Sequence, residues 1–194
     1  MKNILKAISA KQEEAFKLPD AICWDMSKDF LAKQEEACKS PRKAYIFAKR
    51  IIGANIEKCQ EVSCKETRYA FKFARDVKGA DIKKCQEAAC KDSVYAYYFA
   101  RYIKEANIEY CQEIACKEPK NAYDFALVIE GANIEYCQEA ACKSPEYAFW
   151  FALDIDGANI EKCQKAACKD SFWAASFEDI PGADIKKCKI YSLL

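Results

Sequence analysis

The chain has 194 residues, 52% of them hydrophobic and 31% charged, and a formal net charge of +1. That balance excludes an intrinsically disordered chain, and five Gly with five Pro argue against long loops. No apolar run approaches the ~18 residues of a membrane span, so no membrane partner and a cytoplasmic location are expected.

Residues 1–10 alternate Lys with Ile, Leu and Ala and lack the apolar core of a secretory signal, which predicts a capping helix. The rest of the chain is organised by one repeat. Gln34, Gln60, Gln86, Gln112, Gln138 and Gln164 stand 26 residues apart, inside a block reading Cys-Gln-Glu-x-Ala-Cys-Lys in its fullest copies. A period of this size is the signature of a stacked-repeat architecture. Five complete units cover 27–52, 53–78, 79–104, 105–130 and 131–156. A 22-residue variant (5–26) precedes them, and a 25-residue variant (157–181) and a truncated first helix (182–194) follow. Atypical ends of this kind suit the caps of a repeat array.

The unit at 53–78 sets the secondary structure. Gly53 suits the position after a helix, and Asn55 an N-cap. Ile56, Cys59, Ser63 and Cys64 then share one face of a helix running to about Lys65. Glu61 and Lys65 are spaced for an i, i+4 pair, as are Glu87/Lys91, Glu113/Lys117 and Glu139/Lys143. A break follows at Glu66-Thr67; its sister copies read Ser40-Pro41 and Ser144-Pro145, a cap and a proline in the first helical position. The second helix turns Ala70, Phe73, Ala74 and Val77 to the core. Each unit is therefore expected to be a hairpin of two helices of about ten residues, stable only when stacked. The expected fold is all-α, a right-handed α-solenoid of about seven short two-helix hairpins. With helix layers about 8–10 Å apart it would form one elongated domain over 1–194, on the order of 60–70 Å long.

The motif Ala-[Tyr/Phe]-x-Phe-Ala-x-x-[Ile/Val]-x-Gly-Ala-[Asn/Asp]-Ile carries a resemblance. It occurs at 44–56, 70–82, 96–108, 122–134 and 148–160, with Glu105 replacing Gly in one copy. It resembles tandem helical-hairpin repeats of bacterial and phage proteins, and is broadly similar to short α-solenoids of HEAT or leucine-rich-variant type. The resemblance implies a fold and brings no functional residues with it. By analogy such solenoids bind protein or nucleic acid.

Ten of the thirteen cysteines lie in Cys-x4-Cys pairs: 59/64, 85/90, 111/116, 137/142 and 163/168. Positions i and i+5 of a helix point about 140° apart and do not easily share a metal or a disulfide. With no histidine and no Cys-x-x-Cys, no metal site is expected, and the thiols read as buried free cysteines. Stacking could still bring one unit's second Cys near the next unit's first. No histidine exists to activate a thiol, no Gly-rich phosphate loop occurs, and no carboxylate pair converges by spacing, so neither an enzyme nor a cofactor is expected. The repeated Gln reads as a ladder of amides bonded to neighbouring loops.

Function is expected where the copies differ. Opposite the core face of the second helix, the residues are Arg42, Ile46, Lys49, then Arg68, Lys72, Arg75, then Val94, Tyr98, Arg101, then Lys120, Asp124, Leu127, then Glu146, Trp150, Leu153. Charge along this series is polarised: 27–104 holds 18 Lys+Arg against 10 Asp+Glu (+8), while 105–181 holds 6 against 15 (−9). Two uses follow. Tyr98, Leu127, Glu146, Trp150 and Leu153 would bind a protein partner, making the chain an interaction module or scaffold. Alternatively Arg42, Lys49, Arg68, Lys72, Arg75 and Arg101 form a basic stripe for nucleic acid, or for inhibiting a nucleic-acid enzyme, with Tyr98 for stacking. Head-to-tail self-association, basic end to acidic end, is a further option.

Overall fold

The structure is a computed structural model and describes residues 26–184 and 186. The leading variant (5–26) thus falls almost wholly outside the described residues. The rest forms an all-α solenoid of six two-helix repeat units. Its helices are α1 (Met26–Ala37) and α2 (Pro41–Arg50), α3 (Ile56–Ser63) and α4 (Thr67–Asp76), α5 (Ile82–Ala89) and α6 (Ser93–Tyr102), α7 (Ile108–Ala115) and α8 (Pro119–Val128), α9 (Ile134–Ala141) and α10 (Pro145–Asp154), and α11 (Ile160–Ala167) and α12 (Ser171–Ser176). A 3-10 turn at Phe177–Asp179 follows α12.

Local signals explain the boundaries. Asn55, Asp81, Asn107, Asn133 and Asn159 cap the first helices, each side-chain oxygen accepting the N–H three residues on at 2.9–3.0 Å. Before the second helices, Asp92 and Asp170 cap in the same way, but Ser40 and Ser144 occupy the cap position without a side-chain bond. There Pro41 and Pro145 start the helix, their fixed φ and missing N–H suiting its first turn. First helices stop earlier than their periodicity implies. The helix ends at Ser63, so Lys65 lies in the following turn, and no ion pair joins Glu61 to Lys65 or the sister pairs among the described residues. Glu139 instead reaches Lys162 of the next unit at 2.9 Å.

The turn between units holds Gly79 at φ +84° with open space where a Cβ would stand, so backbone conformation alone selects glycine there. Where Glu105 replaces it, no non-glycine residue takes a positive φ, yet Ala106 N–H still reaches Ile103 C=O at 3.1 Å. The same reversal is closed by a second turn geometry.

The closest packing has an unexpected phase. It joins α2 to α3, α4 to α5, α6 to α7, α8 to α9 and α10 to α11, the second helix of one unit to the first helix of the next. The two helices within one sequence unit meet far less, and second helices also pack on one another in series. The hairpin read from sequence is therefore displaced by one helix. The reason lies in the connections: the five-residue Gly turn folds the chain back on itself, whereas the bend before each second helix spreads its two helices apart.

Phe73, Phe99, Phe125, Phe151 and Phe177 form a column of fully buried rings, one per unit. Ala70, Ala96, Ala122, Ala148 and Ala174, three residues earlier, are likewise buried, and their small side chains let neighbouring helices approach. Val77 belongs to this core, whereas Ala74 is half-buried and Phe71 takes a buried place that the periodicity did not assign.

The repeated glutamine clamps one unit to the next. Gln86 Oε1 accepts the Asn107 N–H at 3.0 Å while its Nε2 donates to the Asn107 C=O at 2.9 Å. Gln60 does the same at Asp81, Gln112 at Asn133, Gln138 at Asn159 and Gln164 at Asp184. A primary amide offers the donor and acceptor that one backbone residue needs, which explains why this buried position is Gln in every unit.

Candidate functional site

The positions opposite the core fall into distinct environments along the second helices. At the basic end, Arg42, Arg68 and Lys72 converge with Tyr45, Ile46 and Tyr69 around a cleft of about 390 Å³. Among the described residues no carboxylate lies within ion-pair distance of these three cations. Partial burial, with the like charges of Arg68 and Arg75, lowers the Lys72 ammonium from its usual value. Lys72 also stands 5.8 Å from the centre of the Tyr69 ring.

Lys49 and Arg75 are not part of that free charge. Asp76 accepts from Arg75 Nε at 2.8 Å and from Lys49 Nζ at 3.0 Å, and Tyr45 donates its hydroxyl to the same carboxylate. The Arg75 hydrogen bond leads, with Tyr45 and Lys49 behind it, in holding the Asp76 carboxyl well below the usual carboxylate range. A depressed folded-state value means stability that is present above the unfolded pKa of ~3.9 and lost as pH falls past it. Acid titration of unfolding should therefore show a loss of stability beginning near pH 4, and Asp76→Asn should flatten it. An unchanged acid limb in that variant would show that the cluster adds nothing. Arg101 is held differently, donating to the Tyr97 hydroxyl at 2.7 Å and lying 5.3 Å from the centre of the Tyr102 ring.

The proposed partner-binding residues also divide. Tyr98 is 37% exposed and packs among Phe71, Tyr95, Tyr97 and Tyr102 at ring separations of 5.5–6.2 Å. Trp150, 36% exposed, belongs to a second aromatic group with Phe149 at 5.2 Å and Trp173 at 6.2 Å. Between them in the series stands Asp124, paired with Lys120 at 2.7 Å. Leu127, Leu153 and Glu146 are exposed.

Beneath this face runs a ladder of rings linking successive second helices: Tyr45 to Tyr69, Phe71 to Tyr95, Tyr123 to Tyr147 and Phe149 to Trp173, at 5.3–6.2 Å. Asn121 interrupts it, buried and donating to Ser93 Oγ at 2.9 Å. Tyr123 also bonds Asp154 at 2.5 Å, the counterpart of Tyr45 with Asp76.

No protein family, no curated protein and no solved structure matches the chain. What the chain presents by itself is regular 26-residue helical-hairpin repeats. No helix among the described residues is long and apolar enough to cross a membrane.

The cysteines meet between units. Cys38 faces Cys59, Cys64 faces Cys85, Cys90 faces Cys111, Cys116 faces Cys137 and Cys142 faces Cys163, with Sγ···Sγ separations of 3.7–3.9 Å. All ten are free thiols. The Cys-x4-Cys spacing in sequence thus separates two different contacts. In each pair the second member stands inside a first helix and is fully buried, while the first sits just past the end of the preceding first helix. Burial and the neighbouring Cys38 push the Cys59 thiol up to about 12. Cys64 lies below its ordinary value through its hydrogen bond with Cys85.

Proposed function

We propose that the chain is a non-enzymatic protein-interaction module, one elongated domain that offers the exposed face of its second helices to a partner protein. The supporting observation is the run of exposed apolar side chains on the last four second helices, beginning with Val94, Tyr98 and Tyr102 on α6. Leu127 is 47% exposed, Leu153 48% and Phe172 66%, around the half-packed Trp150. Large apolar groups bare to water beside Glu146 suit a protein surface and repel a phosphate backbone. In this the chain parallels HEAT-type solenoids, an analogy of architecture.

The test is a tagged capture from host lysate with wild-type protein and Trp150→Ala, each split into nuclease-treated and untreated halves. The variant should keep its helical signal and melting profile while partner affinity falls by about 2 kcal/mol, some 30-fold. A variant that melts early and keeps its partner would assign Trp150 to the fold instead.

A second reading rests on the cleft of Arg42, Arg68 and Lys72. Three unpaired cations around two tyrosines favour an anionic ligand, and single-stranded nucleic acid combines phosphate with bases that stack. Binding that falls steeply with salt and is lost in Arg68→Ala would favour this reading; capture of protein alone would remove it.

A further inference from the structure

We propose that the thiol pairs between units are a ladder of redox-modification sites, closed to disulfides by a hydroperoxide, which staple each repeat to the next. Three observations carry this. First, cysteine is kept as a pair. The buried position just before the outer cysteine is Ser63 in one unit and Ala89, Ala115, Ala141 and Ala167 in the others, and the one before that varies as Val62, Ala88 and Ile114. Small size alone would let Ala or Ser replace cysteine in the same way, yet all five described contacts keep both thiols. In the leading copy the block reads Lys-Gln-Glu-Glu-Ala-Phe-Lys, so Phe16 stands for the outer cysteine, and Lys33 stands where the next unit's inner cysteine belongs. The two members are lost together.

Second, each pair needs only a small movement. The sulfurs are 3.7–3.9 Å apart, and bonding at about 2.05 Å closes less than 2 Å, within reach of side-chain rotation and slight sliding of two short helices. The glutamine clamp beside each pair already fixes the register of the two units.

Third, three of the five outer thiols can be reached, whereas Cys90 and Cys116 are buried. Cys38, Cys64 and Cys142 are partly exposed, and a cleft of about 360 Å³ lined by Gln60, Glu61 and Lys84 opens onto Cys64. Cys85 behind it is sealed from solvent. That arrangement fits an attacking thiol with a resolving partner.

The chemistry balances within the pair. The Cys64 thiol gives up its proton and the thiolate attacks one oxygen of hydrogen peroxide; the O–O bond breaks, and the departing hydroxide takes up that proton to become water. The sulfenic sulfur is then attacked by the Cys85 thiol; the S–S bond forms, the S–O bond breaks, and the thiol proton leaves with the hydroxyl as a second water. Two thiols lose two electrons and the peroxide gains them. The Cys38 and Cys142 pairs follow the same course, and the pairs of the buried Cys90 and Cys116 follow it more slowly.

The test treats the folded full chain with hydrogen peroxide, blocks remaining thiols, and maps the linkages by non-reducing peptide mass spectrometry. Linkages 38–59, 64–85 and 142–163 are expected first and 90–111 and 116–137 more slowly, because Cys90 and Cys116 are buried, with a mass loss of about 2 Da per pair, reversal by dithiothreitol, and a Tm at least about 5 °C higher than the reduced protein. In Cys85→Ser, Cys64 should accumulate as a sulfenic acid trapped by dimedone while the other four linkages form. Thiols that stay free, sulfinic acids without linkage, pairing within a unit such as 59–64, or an unreacted Cys64 in that variant would each overturn the proposal.

Discussion

Phe125→Ala should destabilise the array by about 3–5 kcal/mol, the largest effect of any single truncation proposed here. The ring is fully buried in the middle of the phenylalanine column, so its removal forfeits the transfer free energy of a whole aromatic side chain. A cavity term adds to this, because neighbours on α7, α8, α9 and α10 are pinned by caps and by the Gln112 and Gln138 clamps and do not collapse readily into the space. The form of the transition should change as well. In a solenoid each unit is held by its neighbours, so a weak central unit uncouples the two flanks. Chemical denaturation followed by circular dichroism should show a lower midpoint and a broader, staged transition. Phe47→Ala should be milder, because Phe47 is only half-buried and packs against Phe30 near the start of the described array. A Phe125→Ala protein that unfolds like wild type would refute the assignment of this helix face.

Gln112→Leu is the second large effect, expected at about 1–3 kcal/mol although the two side chains have similar volume. Leucine would satisfy the apolar surroundings but leave the Asn133 N–H without the oxygen that now accepts it at 2.9 Å. The Asn133 C=O suffers less, since it also accepts the Cys137 N–H at 3.0 Å. Gln112→Glu gives a sharper test. At neutral pH its carboxylate would accept from the Asn133 N–H but face the Asn133 carbonyl without a proton to share. Protonated, the carboxyl would both accept and donate, as the amide does. Its folded-state pKa should therefore be raised. Stability would be fully present below the unfolded value of ~4.3 and lost as pH rises through the folded one. The variant's deficit against wild type should shrink on acidification over the range in which its carboxyl protonates. A pH-independent deficit would show that the donor bond to Asn133 is unimportant.

Much of this was legible in the sequence because repetition removes ambiguity. A single copy of Ile56, Cys59, Ser63 and Cys64 is a weak helical signal; four more copies in register leave little room for another period. The Asn and Asp caps were readable for the same reason. Periodicity marks which side of a helix is apolar but not which neighbour covers it, so the closer pairing of α4 with α5 than with α3 was hidden. Lys65 failed as a partner of Glu61 because the apolar periodicity through Cys64 extended the helix to Lys65, while the chain leaves it at Ser63.

The candidate surface was read least well. Lys49 and Arg75 looked like free charge until Asp76, in the next unit from Lys49, was placed against both. A signal existed: Tyr45 with Asp76 and Tyr123 with Asp154 share a spacing of 31 residues, which recurs in the sequence and marks a contact between units. Partners offset from the 26-residue period are invisible when positions are compared only at that period.

The displaced phase of the packing determines where such a chain can be cut and rejoined. A block excised at the glycine turns, such as 53–78, would part α2 from α3 and α4 from α5, the most intimate neighbours in the molecule. A block running from one second-helix start to the next, such as 67–92, keeps α4 and α5 together and severs only the sparse bends. Arrays of other lengths, whether assembled by design or by duplication of coding segments, would best exchange cassettes bounded by those bends, with the glycine turn held inside the cassette.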